Sequence, residues 1–426
     1  MEFIFRNVEI IDPNSKHHLQ KRDVWVKNGE IQEIKSKINS TKKIKEFAFD
    51  KSCLSPGWVD IGCTNGEPGY EHRETLQSLA SSAAAGGYTT ICCFPNTKPT
   101  IHSKSEVTFI KNRSQNLPVT ILPIGAISKD CASEEMAEIL QMFEAGAIAF
   151  SDGRIPIQKS GLLMRALEYL KLIPSTLLIN TCVDKGIAGA GQMHEGKTST
   201  SLGLKGIPAL AETINIQRDL AILKYTQSRM LIHKVSSVES VLIIKTEKSK
   251  LANLFSSVSI FNLIFEDDQL ENFNVHLKLD PPIRSKTDRK ALIQAVKDGT
   301  IDIICSDHTP WDAEKKDLEF QTSAFGSISL ETAFAAFCTY LAEDLSVEKW
   351  IEQVAINPRK ILNLQAQTIQ VGSNVDLSYF NPTMEWLYEK DRILSISKNS
   401  PFIGNKLKGK VLGTWTKGAY NDFSET

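Results

Sequence analysis

The sequence has no apolar run approaching the ~20 residues that span a bilayer, so a membrane-embedded chain is not expected. An excess of charge of either sign is missing too: 49 Lys and Arg stand against 50 Asp and Glu, a net charge of −1. Without that excess, and without a basic block interleaved with aromatics, nucleic acid is not an expected partner. The densest basic stretch, from Lys35 to Lys45, also carries Ser and Asn, follows a strand pattern and reads as a solvated loop. Glycine (24) and proline (16) are too few among 426 residues for a disordered or collagen-like chain. The cysteines (Cys53, Cys63, Cys92, Cys93, Cys131, Cys182, Cys305 and Cys338) lack the paired spacing of a secreted disulfide framework or a zinc ribbon. Reduced, buried thiols in the cytoplasm are the expectation. The first residues, Met1 to Arg6, set charges among apolar side chains and offer no small-residue cleavage site, so no signal peptide is expected.

What is present is a change of texture along the chain. Residues 1–54 read as short β-strands, with Asp23–Lys27 and Glu30–Ile34 flanking Asn28-Gly29, the strongest short hairpin signal. The last stretch, 365–426, returns to that style in Val375–Phe380 and Gly409–Trp415. Between them, apolar runs recur at Gly57–Cys63, Thr89–Phe94, Val119–Ile124, Ala147–Phe150, Thr176–Cys182, Met230–Val235, Val258–Ile264 and Ile301–Cys305. Amphipathic stretches separate most of them: Glu71–Ala85, Ser133–Phe143, Gly161–Leu172, Leu210–Thr226 and Thr287–Lys297. Eight strands in βα alternation predict an α/β protein with a (β/α)8 barrel over residues 55–364. A doubly wound dinucleotide-binding sheet is the runner-up, but no strand is followed by G-x-G-x-x-G. The terminal segments would form a small β-sandwich domain.

In a barrel, chemistry sits at the C-terminal ends of the strands. The first strand there runs Pro56-Gly57-Trp58-Val59-Asp60-Ile61-Gly62-Cys63-Thr64-Asn65-Gly66-Glu67-Pro68-Gly69, the second ends in Phe94-Pro95-Asn96-Thr97, and the eighth gives Cys305-Ser306-Asp307-His308-Thr309-Pro310-Trp311. Together with Glu71–Thr75, Ala149–Gly153, Met193–Gly196, Asp280–Arg284, Phe325-Gly326, Glu331–Phe334 and Pro401–Gly404, these segments resemble the dihydroorotases of the amidohydrolase superfamily across nearly the whole chain. The resemblance implies a TIM barrel of the amidohydrolase type and the reversible hydrolysis of dihydroorotate to carbamoyl aspartate. In that family one or two Zn²⁺ ions generate hydroxide near neutral pH and polarise the amide carbonyl.

The residues departing from the family pattern are the ones that would hold the metal. The family's His-x-His-x-Arg after the first strand is Gly62, Thr64 and Gly66 here, so two imidazoles and a substrate-binding guanidinium are missing. The second carboxylate after strand four is Gly153, leaving Asp152 alone; the strand-five His is replaced by Asn180 or Thr181, and the strand-six His by Lys234. The second His of the eighth-strand motif is Trp311, and the Asn before Pro281-Pro282 is Asp280. Asp307, aligned with the family's proton shuttle, and Asn96, aligned with a substrate-carboxylate contact, are retained. Each has a plainer reading, Asp307 as a hydrogen-bond acceptor and Asn96 as a turn residue.

The remaining imidazoles and thiols give no replacement ligand set. His233 adjoins Lys234 and, by strand alternation, should point away from the vacated ligand position. His308 should orient a loop, His72, His102 and His276 should lie in loops or on the surface, and His194 should be structural. Cys63 should face the helical shell as a small buried hydrophobe. Gly62 and Gly66 should enlarge the old pocket and Trp311 partly fill it. No cofactor is expected, although the family uses zinc. Non-catalytic dihydroorotase homologues are known that hold aspartate transcarbamoylase in its working assembly, and the resemblance extends to that type. The expectation is therefore a cytoplasmic, homo-oligomeric pseudoenzyme of pyrimidine biosynthesis, partnered with aspartate transcarbamoylase. Two other readings stay open: a dihydroorotase or other cyclic-amide hydrolase (hydantoin or allantoin type) with an unusual metal site, and a small-molecule sensor.

Overall fold

A computed structural model describes residues 2–39, 44–173, 175–374 and 376–424. Met1, residues 40–43 of the expected basic loop and Val375 of an expected strand lie outside the described residues. The chain opens with β1 (Glu2–Ile10), β2 (Lys21–Lys27), β3 (Glu30–Lys35), β4 (Lys45–Phe47) and β5 (Cys53–Pro56). Asn28 and Gly29 both take positive φ, 51° and 90°, which the tight turn between β2 and β3 requires.

The barrel strands follow: β6 (Trp58–Cys63), β7 (Tyr88–Cys93), β8 (Thr120–Gly125), β9 (Ala149–Phe150) and β10 (Leu178–Thr181). A two-stranded ribbon, β11 (Met193–His194) with β12 (Gly206–Ile207), precedes the last three, β13 (Met230–His233), β14 (Leu254–Ser259) and β15 (Ile303–Cys305). The chain returns to the terminal sheet with β16 (Leu377–Leu387), β17 (Lys406–Thr416) and β18 (Ala419–Asp422).

The barrel strands are parallel, in the order β15-β14-β13-β10-β9-β8-β7-β6. The seam between its first and last strands is bridged by a side chain: Asp60 Oδ1 accepts from the Ser306 N–H and Oδ2 from the Ser306 hydroxyl, each at 2.7 Å. Just above, the Thr64 N–H donates to the His308 carbonyl at 2.9 Å. This is the (β/α)8 barrel that the alternating strands and helices predict. The interior is plugged by Val59, Ile61, Cys92, Phe94, Ile124, Ala149, Ile179, Leu231 and Ile303, the inward sets of alternating strand positions.

Helices cover the barrel where amphipathic spacing placed them: Leu76–Ala85, Ser160–Lys171, Ala209–Thr226 and Lys286–Lys297. Thr75 caps the first through a reciprocal bond with Ser78, so Glu71–Glu74 stay outside it. The expected strand Val258–Ile264 divides, because Ser259 ends β14 and caps a short helix, Ile260–Ile264, by accepting from the Phe261 N–H. No described helix is long and apolar enough to cross a membrane.

Both termini build one mixed eight-stranded sheet, the small β domain, in which β5 pairs β1 on one side and β16 on the other. Its core is aromatic, with Phe3 against Trp415 and Phe5 against Tyr379 (ring centres 4.8 Å apart in each pair) and Phe47 against Tyr420 (4.5 Å). Such pairs contribute about 0.5–1.5 kcal/mol each beyond area burial. All eight cysteines are buried and free.

Candidate functional site at the barrel mouth

Above the apolar plug, β6 bulges at Gly62, whose φ of 90° breaks the pairing register with β7 between Ile61 and Cys63. Cys63 consequently joins the outer cluster with Leu76, Leu79 and Cys93, while Gly62 faces inward. A Cβ on Gly62 would stand 2.7 Å from Phe94 Cζ and 2.8 Å from His233 Nε2. One on Gly66 would stand 2.3 Å from the Glu74 carbonyl oxygen and 2.4 Å from that of Tyr70. These glycines do not enlarge the pocket as expected, because neighbouring side chain and backbone already fill the space.

His233 does not point away from the vacated position, contrary to the alternation argument. It belongs to the inward set with Leu231, Nδ1 lies 2.9 Å from the Ser257 hydroxyl, and Nε2 has no hydrogen-bond partner. Its ring meets Phe94 edge-on, 5.2 Å between centres. Burial, together with the adjacent Lys234 charge, pushes its pKa well below the ordinary histidine range, which keeps it neutral. Alternation fails at the next residue: Lys234 follows the end of β13 at φ 59° and turns back over the mouth.

There the Lys234 ammonium donates to Asp307 Oδ1 at 2.8 Å and to the Asp280 carbonyl oxygen. Asp307, also left-handed at φ 60°, accepts from the Ser259 hydroxyl at 3.0 Å through its other oxygen. The side chains of this pair are only 5% and 7% exposed, a fixed cation already sitting against the one retained carboxylate. Asp152 turns away from the mouth and accepts from the Ile127 and Ser128 N–H groups at 2.9 Å each. Thr181 donates to the Gly153 carbonyl at 3.1 Å. Asn96 Nδ2 donates to the Asp152 carbonyl at 3.0 Å and Oδ1 accepts from the Arg154 N–H at 2.9 Å, so its amide holds the loop after β9.

Further buried networks shape the rim. Glu212 accepts from the Ser236 and Ser237 N–H groups and from Arg284, whose Nη1 lies 3.2 Å from His194 Nδ1. His308 Nδ1 accepts from the Ser329 N–H at 3.1 Å, with Nε2 3.4 Å from Glu74. Trp311 donates its indole N–H to the Phe325 carbonyl at 2.9 Å, and Arg73 lies 4.1 Å over its ring. Sequence reasoning missed Arg73, Arg154, Lys278 and Lys316 here, since an isolated basic residue after a motif carries no periodic signal.

Lys316 is 1% exposed and donates to the Ala324 carbonyl at 2.9 Å, with no carboxylate within ion-pair distance among the described residues. Burial, and after it the charges of Lys278 and Arg154, push its pKa down to about 7. The folded chain therefore releases this proton at a pH where an unfolded lysine, near 10.4, still holds it. The stabilisation from keeping Lys316 neutral is complete above the unfolded value and is lost as pH falls through 7. Urea midpoints should rise from pH 6.5 to 9, and Lys316→Met should flatten that rise; equal slopes in both proteins would refute the assignment.

Comparison with known proteins agrees with this architecture. The family model described as "Dihydro-orotase-like" matches residues 52–240, and that of the "Amidohydrolase family" matches residues 192–420. The chain is 36% identical over 418 residues to the dihydroorotase of Acetivibrio thermocellus, covering 97% of each chain. It is 36% identical over 421 residues to that of a Thermoanaerobacter species, covering 98% of this chain and 96% of the relative. Among solved structures, the L-hydantoinase (dihydropyrimidinase) of Arthrobacter aurescens superposes with a TM-score of 0.86 at 23% identity, covering 98% of this chain and 95% of that one. The dihydropyrimidinase of Brevibacillus agri gives 0.81 at 18% identity, covering 99% and 95%.

These matches correct the expectation of no cofactor, because members of the amidohydrolase and dihydroorotase families are typically zinc-dependent. At the positions that the resemblance assigns to the metal ligands, the side chains present do not fit a zinc ion. Gly62 and Gly153 offer no donor, Thr181 is spent on a carbonyl, and Lys234 holds Asp307 with a positive charge. Among the described residues no three His, Cys, Asp or Glu side chains gather as a metal cluster.

Proposed function

The chain belongs to the dihydroorotase family of cyclic amidohydrolases of pyrimidine biosynthesis, and on that premise we propose that it is a non-catalytic member acting as a structural or regulatory partner of aspartate transcarbamoylase. The observation that carries this reading is the buried Lys234–Asp307 pair. The family's hydroxide arises when imidazoles and carboxylates lower the pKa of a metal-bound water. Here an ammonium takes the strand-six ligand position and neutralises the carboxylate aligned with the proton shuttle. A second cation placed against Asp307 would have to displace it. These positions lie at the barrel mouth and not on the outer helices, where a partner or a second copy of the chain would dock. Free, buried thiols support a reducing compartment, the cytoplasm.

Purified protein supplied with zinc should leave dihydroorotate unhydrolysed above the buffer rate. Co-expressed with the aspartate transcarbamoylase of the same cell, it should co-elute on size exclusion. Turnover of dihydroorotate, hydantoin or allantoin would overturn the proposal in favour of a cyclic-amide hydrolase. That second reading draws on the relatives' names and on the neutral His233, whose Nε2 has no partner. Separate elution would remove the partner role while leaving the loss of hydrolysis standing.

A further inference from the structure

Between β15 and the helix Ala333–Tyr340 the chain runs out as a loop whose two ends are tied together. One side chain ties them: Asn399 Oδ1 accepts from the Trp311 N–H at 3.1 Å, and its Nδ2 donates to the Thr309 and Gly326 carbonyls at 3.0 and 3.2 Å. Asp312, at the first end, lies 3.3 Å from Arg73 and 3.5 Å from His72. Residues 313–325 therefore form a compact loop on fixed ends. Of these residues only Lys316, Phe320 and Ser323 are buried, so Phe320 is the single buried apolar side chain. Its one regular element is a turn of helix, Ala313–Lys316.

Basic side chains hold this loop down by donating to its carbonyl oxygens. From beneath, Lys278 Nζ reaches the Phe320 and Gln321 carbonyls at 2.6 and 3.0 Å, and Arg154 reaches that of Phe325 at 2.8 Å. Lys316 folds under its own loop to the Ala324 carbonyl at 2.9 Å. Through Lys316, Phe320 and Phe325 the loop walls three cavities, of about 590, 460 and 170 Å³ respectively. Few buried apolar contacts put a segment at the low end of local stability, and basic groups gathered beneath it repel one another when charged. We propose that residues 313–325 are a lid, hinged at Asp312 and Gly326 and latched by an uncharged Lys316, which lifts and joins these cavities when Lys316 takes up a proton.

The groups facing Lys316 are Lys278 and His276 on one side, Arg154 from the loop after β9, and Asp317 on the lid itself; Asp312, Lys390 and Lys398 line the cavity it borders. Burial lowers His276 and keeps it neutral. Lys278, lowered by burial to about 8, still carries its charge when Lys316 titrates at about 7. With the lid open, Lys316 is solvated and its value returns to about 10.4. Above pH 7 opening therefore binds a proton that the closed lid lacks, and the opening constant falls about tenfold per pH unit. Below 7 both states hold the proton and the dependence ends. The lid rests on the contacts of its own loop, so it stands whether or not the chain hydrolyses a cyclic amide or holds a transcarbamoylase.

Hydrogen exchange of the whole protein between pH 6 and 8, corrected for the intrinsic exchange rate, reads the opening equilibrium. The reporters are the amides of Thr322, Ser323, Ala324 and Gly326, all hydrogen-bonded in the closed loop. They should exchange about a hundredfold or more faster than the amides of β13, since a lid opens without the barrel. Their protection should be level from pH 6 to 7 and rise about tenfold from 7 to 8. Lys316→Met, which has no proton to bind, should abolish that rise. Should Lys316→Met fail to fold, Lys316→Arg, charged throughout this range, should also show no rise and should hold the lid less protected than the wild type at pH 8. Exchange of the loop in step with β13 would mean that it opens only with the whole fold and would overturn the lid. Protection of the wild type that is level from pH 6 to 8, or an undiminished rise in the Lys316 variants, would overturn the latch.

Discussion

Lys234→Met is expected to destabilise the barrel by about 3–5 kcal/mol, the range for removing one partner of a buried ion pair. The reason lies in what remains. Asp307 would keep the Ser259 hydroxyl as a donor but lose its cation inside a mouth that admits little water. The Asp280 carbonyl would lose a donor as well. The double variant Lys234→Met/Asp307→Leu should recover most of the loss, because a buried pair replaced by apolar groups of similar volume is often neutral or stabilising. Urea denaturation followed by circular dichroism reads both variants. A loss below about 1 kcal/mol for Lys234→Met would mean that Asp307 takes up a proton at little cost, and the pair would then be no obstacle to other chemistry at the mouth.

Restoring the family's residues should damage the protein instead of reviving it. Gly62→His introduces a Cβ at φ 90° into contacts of 2.7 and 2.8 Å with Phe94 and His233. The left-handed backbone costs about 1–2 kcal/mol and overpacking a further 1–3 kcal/mol. Gly66→Arg is worse placed, since its Cβ would meet two backbone carbonyls at 2.3 and 2.4 Å that no rotamer change can move. Both variants should show lowered denaturation midpoints and soluble yields, with no hydrolysis of dihydroorotate gained. A stable Gly62→His protein would show that Phe94 and His233 can move aside. Neighbouring side chains and backbone occupy the space that a larger residue at position 62 or 66 needs, so a single substitution there meets a clash.

The barrel and the β domain could be read from the sequence because their signals are periodic and local. Alternating apolar runs and amphipathic stretches marked the strands and helices, and Asn28-Gly29 marked a turn through the positive φ it demands. Val258–Ile264, expected as a single strand, divides because a short apolar run also fits a buried helix, and the cap at Ser259 decides where one gives way to the other. The mouth was less legible because its geometry rests on exceptions to periodicity. Lys234, Asp307, Gly62 and Gly153 all have positive φ, and each redirects a neighbour in a way that alternation cannot anticipate. The residue types mark Gly62 and Gly66 as departures from the resembled pattern, but what occupies the space beside them depends on Phe94, His233, Tyr70 and Glu74 arriving from elsewhere in the fold.

The pairing of β5 bears on how this chain can be made. Its edges are taken by β1, close behind it in sequence, and by β16, and the Trp58 N–H beside it donates to the hydroxyl of Ser378, 320 positions downstream. During synthesis the first five strands leave the ribosome with one edge of β5 bare, and it stays bare until nearly the whole polypeptide has emerged. An unpaired edge is a template for association with other chains, and domains generally fold as units as the chain emerges. The β domain therefore cannot finish ahead of the barrel, and a ribosome stalled late in the message would release a nascent chain prone to aggregate.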